Sequence, residues 1–321
     1  MRNNRFQNLT SESSITLPLC MVIGTLVWFW NGNILSFEYS LSGTTALIMA
    51  IITTYVVMET ANTYSLLRIR SRMIATVWVV GISLMTFTHT FSEGWVAALT
   101  LAGSYYVMFM AYQQHQPVVH VFHTFALLGI ALLAVPQLLV LVPLYYWYLL
   151  VFLRALTWRG FWGGIVGLAL PMCFTIGWSI IRGDFHFIYG RIENLLATGL
   201  FVKDDYAWML DYKNPETLAF AFISLLSLVG IVHYLRNYYN DKIRTRMYLY
   251  IYVMQTIACW LIIICSPDMY NLLAPSLMLG ASTMIAHFFA LTGSVISNLF
   301  FYLTLAAILS LFVLNLGIWN F

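Results

Sequence analysis

Apolar residues run along this chain in long, nearly unbroken stretches and do not alternate singly with polar ones. A helix that crosses the hydrocarbon core of a bilayer needs about 20 such residues, within a range of about 17 to 25. Eleven stretches approach that length, at approximately 15–32, 42–58, 73–88, 94–112, 118–135, 137–153, 161–181, 217–235, 247–265, 271–289 and 295–318. The pattern predicts an all-α protein, a polytopic transmembrane helix bundle of about 11 spans in a single integral membrane domain over 1–321. Around Pro136 two readings fit: a tight helical hairpin turning at residues 134–137, or one long helix kinked at the proline. Pro143, Pro171 and Pro275 fall inside other spans.

Composition narrows the class further. Of the 321 residues, 61% are apolar or aromatic and 8% are charged, whereas a soluble domain carries about 25% charged residues. That excludes an ordinary globular enzyme, a disordered chain and a nucleic-acid binder. A β-barrel is excluded as well, because its strands would alternate apolar and polar positions. Arg2 and Arg5 precede the first apolar run, but no small-x-small cleavage site follows at 31–36, so that run is expected to stay as a helix. Cys20, Cys173, Cys259 and Cys265 lie in or beside apolar segments with no C-x-x-C pair, and are expected to act as small packed hydrophobes.

The charges then orient the spans. With the N-terminus in the cytoplasm, 11 of the 15 basic residues fall on the inner side, in clusters at 68–72, 154–159 and 236–246. Such a Lys and Arg bias in short loops sets topology. No charge sits in the middle of a span, which argues against a proton-driven pump or a voltage sensor. Aromatic clusters such as Trp28–Trp30, Tyr145–Tyr148, Tyr238–Tyr239 and Tyr248–Tyr252 fall near span ends, where amphipathic rings anchor at the headgroup level.

One connection exceeds a turn. Residues 182–216 form an outer, extracytoplasmic loop in which Phe185, Ile188, Ile192, Leu195 and Leu196 recur at helical spacing. This predicts an interfacial helix over about 185–201. His115, His120 and His123 lack a nearby carboxylate or cysteine and, with His233 and His287, are expected to serve helix contacts. No metal site and no cofactor is expected. The Gly160, Gly163, Gly164 and Gly167 run holds two G-x-x-x-G pairs, which predict close helix packing within the bundle or onto a membrane protein partner.

The outer span ends hold the candidate chemistry. Glu38 and Asp184 are candidate bases, and Arg182, His186, His89, Glu93 and Asp268 are candidate substrate-binding residues. An acid that takes a proton and an arginine that grips a phosphate would suit an anionic, lipid-linked substrate.

The block Arg154-Ala-Leu-Thr-Trp-Arg-Gly-Phe-Trp-Gly-Gly-Ile-Val-Gly-Leu-Ala-Leu-Pro171, with the Phe122–Pro143 stretch before it, resembles an uncharacterised family of polytopic inner-membrane proteins of Bacteroidota. The resemblance implies an envelope location in a Gram-negative cell and brings no catalytic residues. In topology alone, with its large outer loop after the seventh span, the chain is similar to membrane glycosyltransferases and polymerases that use polyprenyl-linked sugars. Their acidic motif is reduced here to Glu38, and no D-x-D is present. The expected partners are the bilayer, a polyprenyl-linked or other lipid, and a second membrane protein. The alternatives are a non-catalytic subunit of an envelope complex and a carrier for lipid-like cargo.

Overall fold

The computed structural model describes residues 5–30, 37–183, 185–186, 189–190 and 214–315. Among these residues the regular structure is entirely helical. The main helices are α1 (Phe6–Glu12), α2 (Thr16–Trp30), α3 (Phe37–Thr63), α4 (Met73–Ser83), α5 (Glu93–Met110) and α6 (Val118–Ala134). They continue as α7 (Leu141–Trp147), α8 (Trp158–Arg182), α9 (Pro215–Asn237), α10 (Ile243–Cys265), α11 (Tyr270–Leu291) and α12 (Val295–Asn315). The apolar runs become helices because only a helix satisfies every backbone N–H and C=O within one segment when water is absent.

Among the described residues six helices are long and apolar enough to cross a membrane: Leu41–Thr63, Trp158–Arg182, Pro215–Asn240, Ile243–Cys265, Pro267–Leu291 and Val295–Leu314. The pair Phe6–Glu12 and Thr16–Phe29, bent by 89°, gives a seventh if it counts as one span. The protein is therefore a multi-pass membrane protein by length and composition. The other expected spans also fall on helices, but shorter or more polar ones. α4 has only 11 residues and α6 has 17, while α5 starts at Glu93 and carries Tyr105 and Tyr106. Eleven crossings are thus more than helix length supports.

Termini of the helices follow local chemistry. Asn214 Oδ1 accepts from the Glu216 N–H at 3.0 Å, with Pro215 at the first helical position of α9. Thr157 Oγ1 likewise accepts from the Gly160 N–H at 3.0 Å at the start of α8, and Gly183 closes that helix with φ 67°. These side chains and the left-handed glycine serve groups that the helix leaves unpaired at its ends.

The chain divides into two compact units. One holds Met1–Ser92, Tyr206–Val253 and Met278–Phe321; the other holds Glu93–Asp205 and Met254–Leu277. In the first unit α1 is turned inside out relative to a soluble helix. Its polar residues Gln7, Asn8 and Ser11 are buried while Phe6 and Leu9 are exposed. Gln7 Nε2 donates to the Phe289 carbonyl at 2.7 Å and to Thr292 Oγ1 at 2.9 Å. Its Oε1 accepts from the Ser297 hydroxyl at 3.1 Å, and its N–H donates to Asn298 Oδ1 at 3.2 Å. The turn between α11 and α12 is satisfied by this one side chain and its backbone.

In the second unit the question around Pro136 is resolved as a hairpin. α6 stops at Ala134, Val135 is extended, and a 3-10 turn over Pro136–Val140 leads into α7. α7 folds back beside α6, with the Phe125 and Tyr146 rings 4.4 Å apart between centroids. α8 packs on α6 and presents Trp158, Trp162, Phe174 and Trp178 outward.

Candidate anion-binding site at the basic end of the first unit

Three chain segments meet at one end of the first unit. α3 ends where Ser65 takes a left-handed backbone, with φ 49°. Leu66 and Leu67 then bury their side chains and pin the 64–72 segment to the bundle. The Ser71 hydroxyl donates to the Ser11 carbonyl, and the Arg72 guanidinium donates to the Ser14 carbonyl at 3.4 Å. Thr16 Oγ1 closes the α1–α2 elbow by donating to the Thr10 carbonyl at 2.8 Å. From the third segment, Thr245 Oγ1 reaches the Ser65 carbonyl at 3.5 Å.

These ties hold open a pocket of about 740 Å³. Arg68, Arg70, Arg72 and Lys242 line it, with Glu12 as its one carboxylate. Four cations against one acid in a concave site attract an anion, and guanidinium groups match phosphate oxygens in paired hydrogen bonds.

Beneath the pocket lies a buried ionic group. Arg68 Nε stands 2.7 Å from Asp241 Oδ1, and the Asp241 side chain is fully enclosed. His287 Nε2 stands 3.3 Å from the other oxygen, Asp241 Oδ2, and is itself fully enclosed. The His233 and Tyr234 rings pack on His287 at 5.7 and 5.3 Å between centroids. A buried carboxylate needs such partners to remain charged. Asp241 thereby fixes the Arg68 head and the 238–242 turn, and Arg70, Arg72 and Lys242, all exposed, remain to face a ligand.

The sequence predicts only helix contacts for His233 and His287. Their meeting depends on pairing across about fifty residues, for which spacing gives no sign. The available signal was Asp241 itself, the only acid within the basic 236–246 cluster.

The outer-end candidates are placed as follows. Asp184 and the Glu38 side chain lie outside the described residues, as does most of the 182–216 loop. Arg182 is exposed at the end of α8, its guanidinium 4.7 Å from the Trp178 ring centroid of the same helix. His186 is exposed. His89 is enclosed, stacked on Trp28 with 4.5 Å between ring centroids. Burial lowers its pKa from 6.5 to about 4, outweighing a nearby Ser83 backbone group that favours the proton. Glu93 and Asp268 are both exposed. Their helices meet where a Cβ on Gly94 would stand 2.3 Å from the Leu272 carbonyl oxygen, so the first turns of α5 and α11 are in contact.

The four glycines of α8 differ in their surroundings. Gly160, Gly164 and Gly167 are buried and Gly163 is half-buried. A Cβ on Gly167 would stand 2.4 Å from the Phe122 carbonyl oxygen of α6, and one on Gly164 would stand 2.6 Å from the Tyr146 hydroxyl. At Gly163 the nearest atom, Val118 Cγ1, is 3.3 Å away; at Gly160 it is Thr157 Oγ1 at 3.1 Å.

The second unit buries a further polar chain where the aromatic clustering predicts headgroup anchors. Tyr145 and Tyr148 are fully buried, not anchored at the headgroups. Tyr145 and Ser104 hydroxyls are 2.7 Å apart, and Tyr105 donates to Gln255 Oε1 at 2.5 Å. Gln255 Nε2 contacts Cys259 Sγ at 3.2 Å. Among the described residues no group of His, Cys, Asp and Glu could hold a metal ion.

No family model, curated protein or solved structure matches this chain.

Proposed function

We propose that this protein is a multi-pass inner-membrane protein of the cell envelope that holds a phosphate-bearing, anionic lipid headgroup in the basic pocket formed by Arg68, Arg70, Arg72 and Lys242. The observation that carries this reading is the pocket itself, about 740 Å³, lined by Arg70, Arg72 and Lys242 beside an Arg68 that Asp241 already pairs. Basic pockets between membrane helices are where anionic headgroups dock. The N-terminus and this pocket face the cytoplasm, on the Lys and Arg bias of the short loops. The resemblance of the 154–171 block to the Bacteroidota family supports the envelope location. A lipid-linked glycan carries the same phosphate chemistry, so it remains within the ligand class. Its expected outer-surface groove has less support, because Arg182 packs on its own helix and His89 is enclosed. The role is binding; no group here is assigned as a catalytic base.

The test uses the full chain in lipid nanodiscs, titrated with phosphatidylglycerol and with phosphatidylcholine. Wild type should prefer phosphatidylglycerol, and the preference should weaken as salt rises. The triple variant Arg70→Gln, Arg72→Gln, Lys242→Gln should lose roughly a hundredfold in affinity, at about 1 kcal/mol for each basic group. Equal affinity for both lipids in wild type, or an unchanged triple variant, would sink the reading.

A further inference from the structure

The basic pocket has an apolar neighbour. A cleft of about 360 Å³ lies within the same unit, and its lining is almost wholly hydrocarbon. Gly24, Met73, Ile223 and Met278 lie along it, from α2, α4, α9 and α11. Leu19, Ile23 and Leu309 also line it and are 56, 48 and 65% exposed, so the cleft opens on the flank of the helices and not at their ends. That size and lining are those of a small-molecule site that takes apolar matter.

The two cavities share an edge. Thr10 and Thr16 line the cleft, while Glu12, Ser13 and Ser14 between them line the basic pocket. Along the facing segment Arg72 lines the pocket and the next residue, Met73, lines the cleft. The contacts of Ser71 with Ser11 and of Arg72 with Ser14 hold these two edges together. The 89° bend between α1 and α2 falls at this same elbow.

We infer that the apolar cleft receives an acyl chain of the same lipid whose phosphate sits among Arg70, Arg72 and Lys242, so that one amphiphile straddles the α1–α2 elbow. This rests on the headgroup reading above and adds the occupant of the cleft. Continuity selects a lipid. A free phosphate ester would fill the basic pocket and leave the cleft unused. A neutral lipid would fill the cleft with nothing for the cations. The flank opening lets a chain enter sideways from the bilayer, with no need to leave hydrocarbon.

The test uses the full chain in nanodiscs with phosphatidylglycerol that carries a photoreactive diazirine on one acyl chain. Glycerol 3-phosphate and equally labelled phosphatidylcholine serve as the other arms. Cross-links from phosphatidylglycerol should concentrate on residues 19–24 and 305–312, at least tenfold above those from phosphatidylcholine. Val77→Trp, which places a large ring in the cleft, should reduce them by a similar factor. Glycerol 3-phosphate should bind at least tenfold more weakly than phosphatidylglycerol. Cross-links spread over the outward face of α8 as much as over the cleft would overturn the inference and leave the headgroup reading standing, as would equal binding of glycerol 3-phosphate. The wild-type arms decide the matter even if Val77→Trp fails to fold. Loss of the preference for anionic lipid would instead overturn the headgroup reading.

Discussion

The α6–α8 seam and the basic end of the first unit solve the same problem in opposite ways. Both must place polar groups inside an apolar molecule. At the seam the α6 and α8 backbones meet at Gly167, and elsewhere in the same unit hydroxyls such as Tyr145 and Ser104 pair with each other. At the basic end, Asp241 neutralises one arginine and the remaining cations are held apart around a cavity. The difference teaches what each kind of contact leaves: close packing takes the small residues and fills the contact, whereas pairing one arginine with a buried acid leaves exposed cations lining a cavity.

The comparison can be pressed by perturbing each region. The largest effect is expected from acid at the first unit. His89 has a folded pKa of about 4 against an ordinary value of 6.5. Between those values the unfolded chain binds more protons, so this contribution is complete above about pH 6.5. It is lost as pH falls from 6.5 through 4 and levels off below. The loss amounts to about 3 kcal/mol, and His89→Phe should flatten it in a series of melts against pH. Unchanged acid sensitivity in that variant would show that His89 is not the enclosed neutral group described.

A similar or slightly smaller effect is expected at the seam. Gly167→Leu would force α6 and α8 apart at the Phe122 carbonyl and cost about 1–3 kcal/mol in detergent melts. Gly103→Leu should cost less, because its nearest neighbour is the flexible end of Leu127 at 3.5 Å. Equal costs would remove the distinction between a tight seam and ordinary helix contact. The smallest effect is expected from Tyr105→Phe, which deletes the hydroxyl that serves Gln255. Side-chain hydrogen bonds inside membrane proteins average about 0.6 kcal/mol. A loss well above about 1.7 kcal/mol would mean that the Tyr145–Ser104 pair depends on it too.

Much of the helical layout was legible in the sequence. Each apolar run became a helix because an unbroken run in lipid has no other solution, and Ala134-Val135-Pro136 marked the turn after α6. The count of crossings was less legible, since hydropathy does not show that α4 stops after 11 residues. The glycine run announced a contact, but G-x-x-x-G pairing offered two faces. Three-dimensional packing buries Gly160, Gly164 and Gly167 together. The aromatic clusters misled at Tyr145 and Tyr148, because a tyrosine whose hydroxyl finds a partner sits as comfortably in a core as at a headgroup. The basic pocket was visible only as a topological signal: Arg68, Arg70 and Arg72 marked a side of the membrane, and only folding joined them to Lys242 and Asp241.

Gln7 has a consequence in time. The residues it grips, Phe289, Thr292, Ser297 and Asn298, are made some 280 residues after it. A ribosome adding about 5–20 residues per second needs on the order of tens of seconds to reach them. Throughout that interval Gln7 lacks these partners, whereas the elbow contacts of Thr16 with Thr10 and of Ser71 with Ser11 can already form. α1 is thus fastened to the α11–α12 turn only long after its own residues have been made.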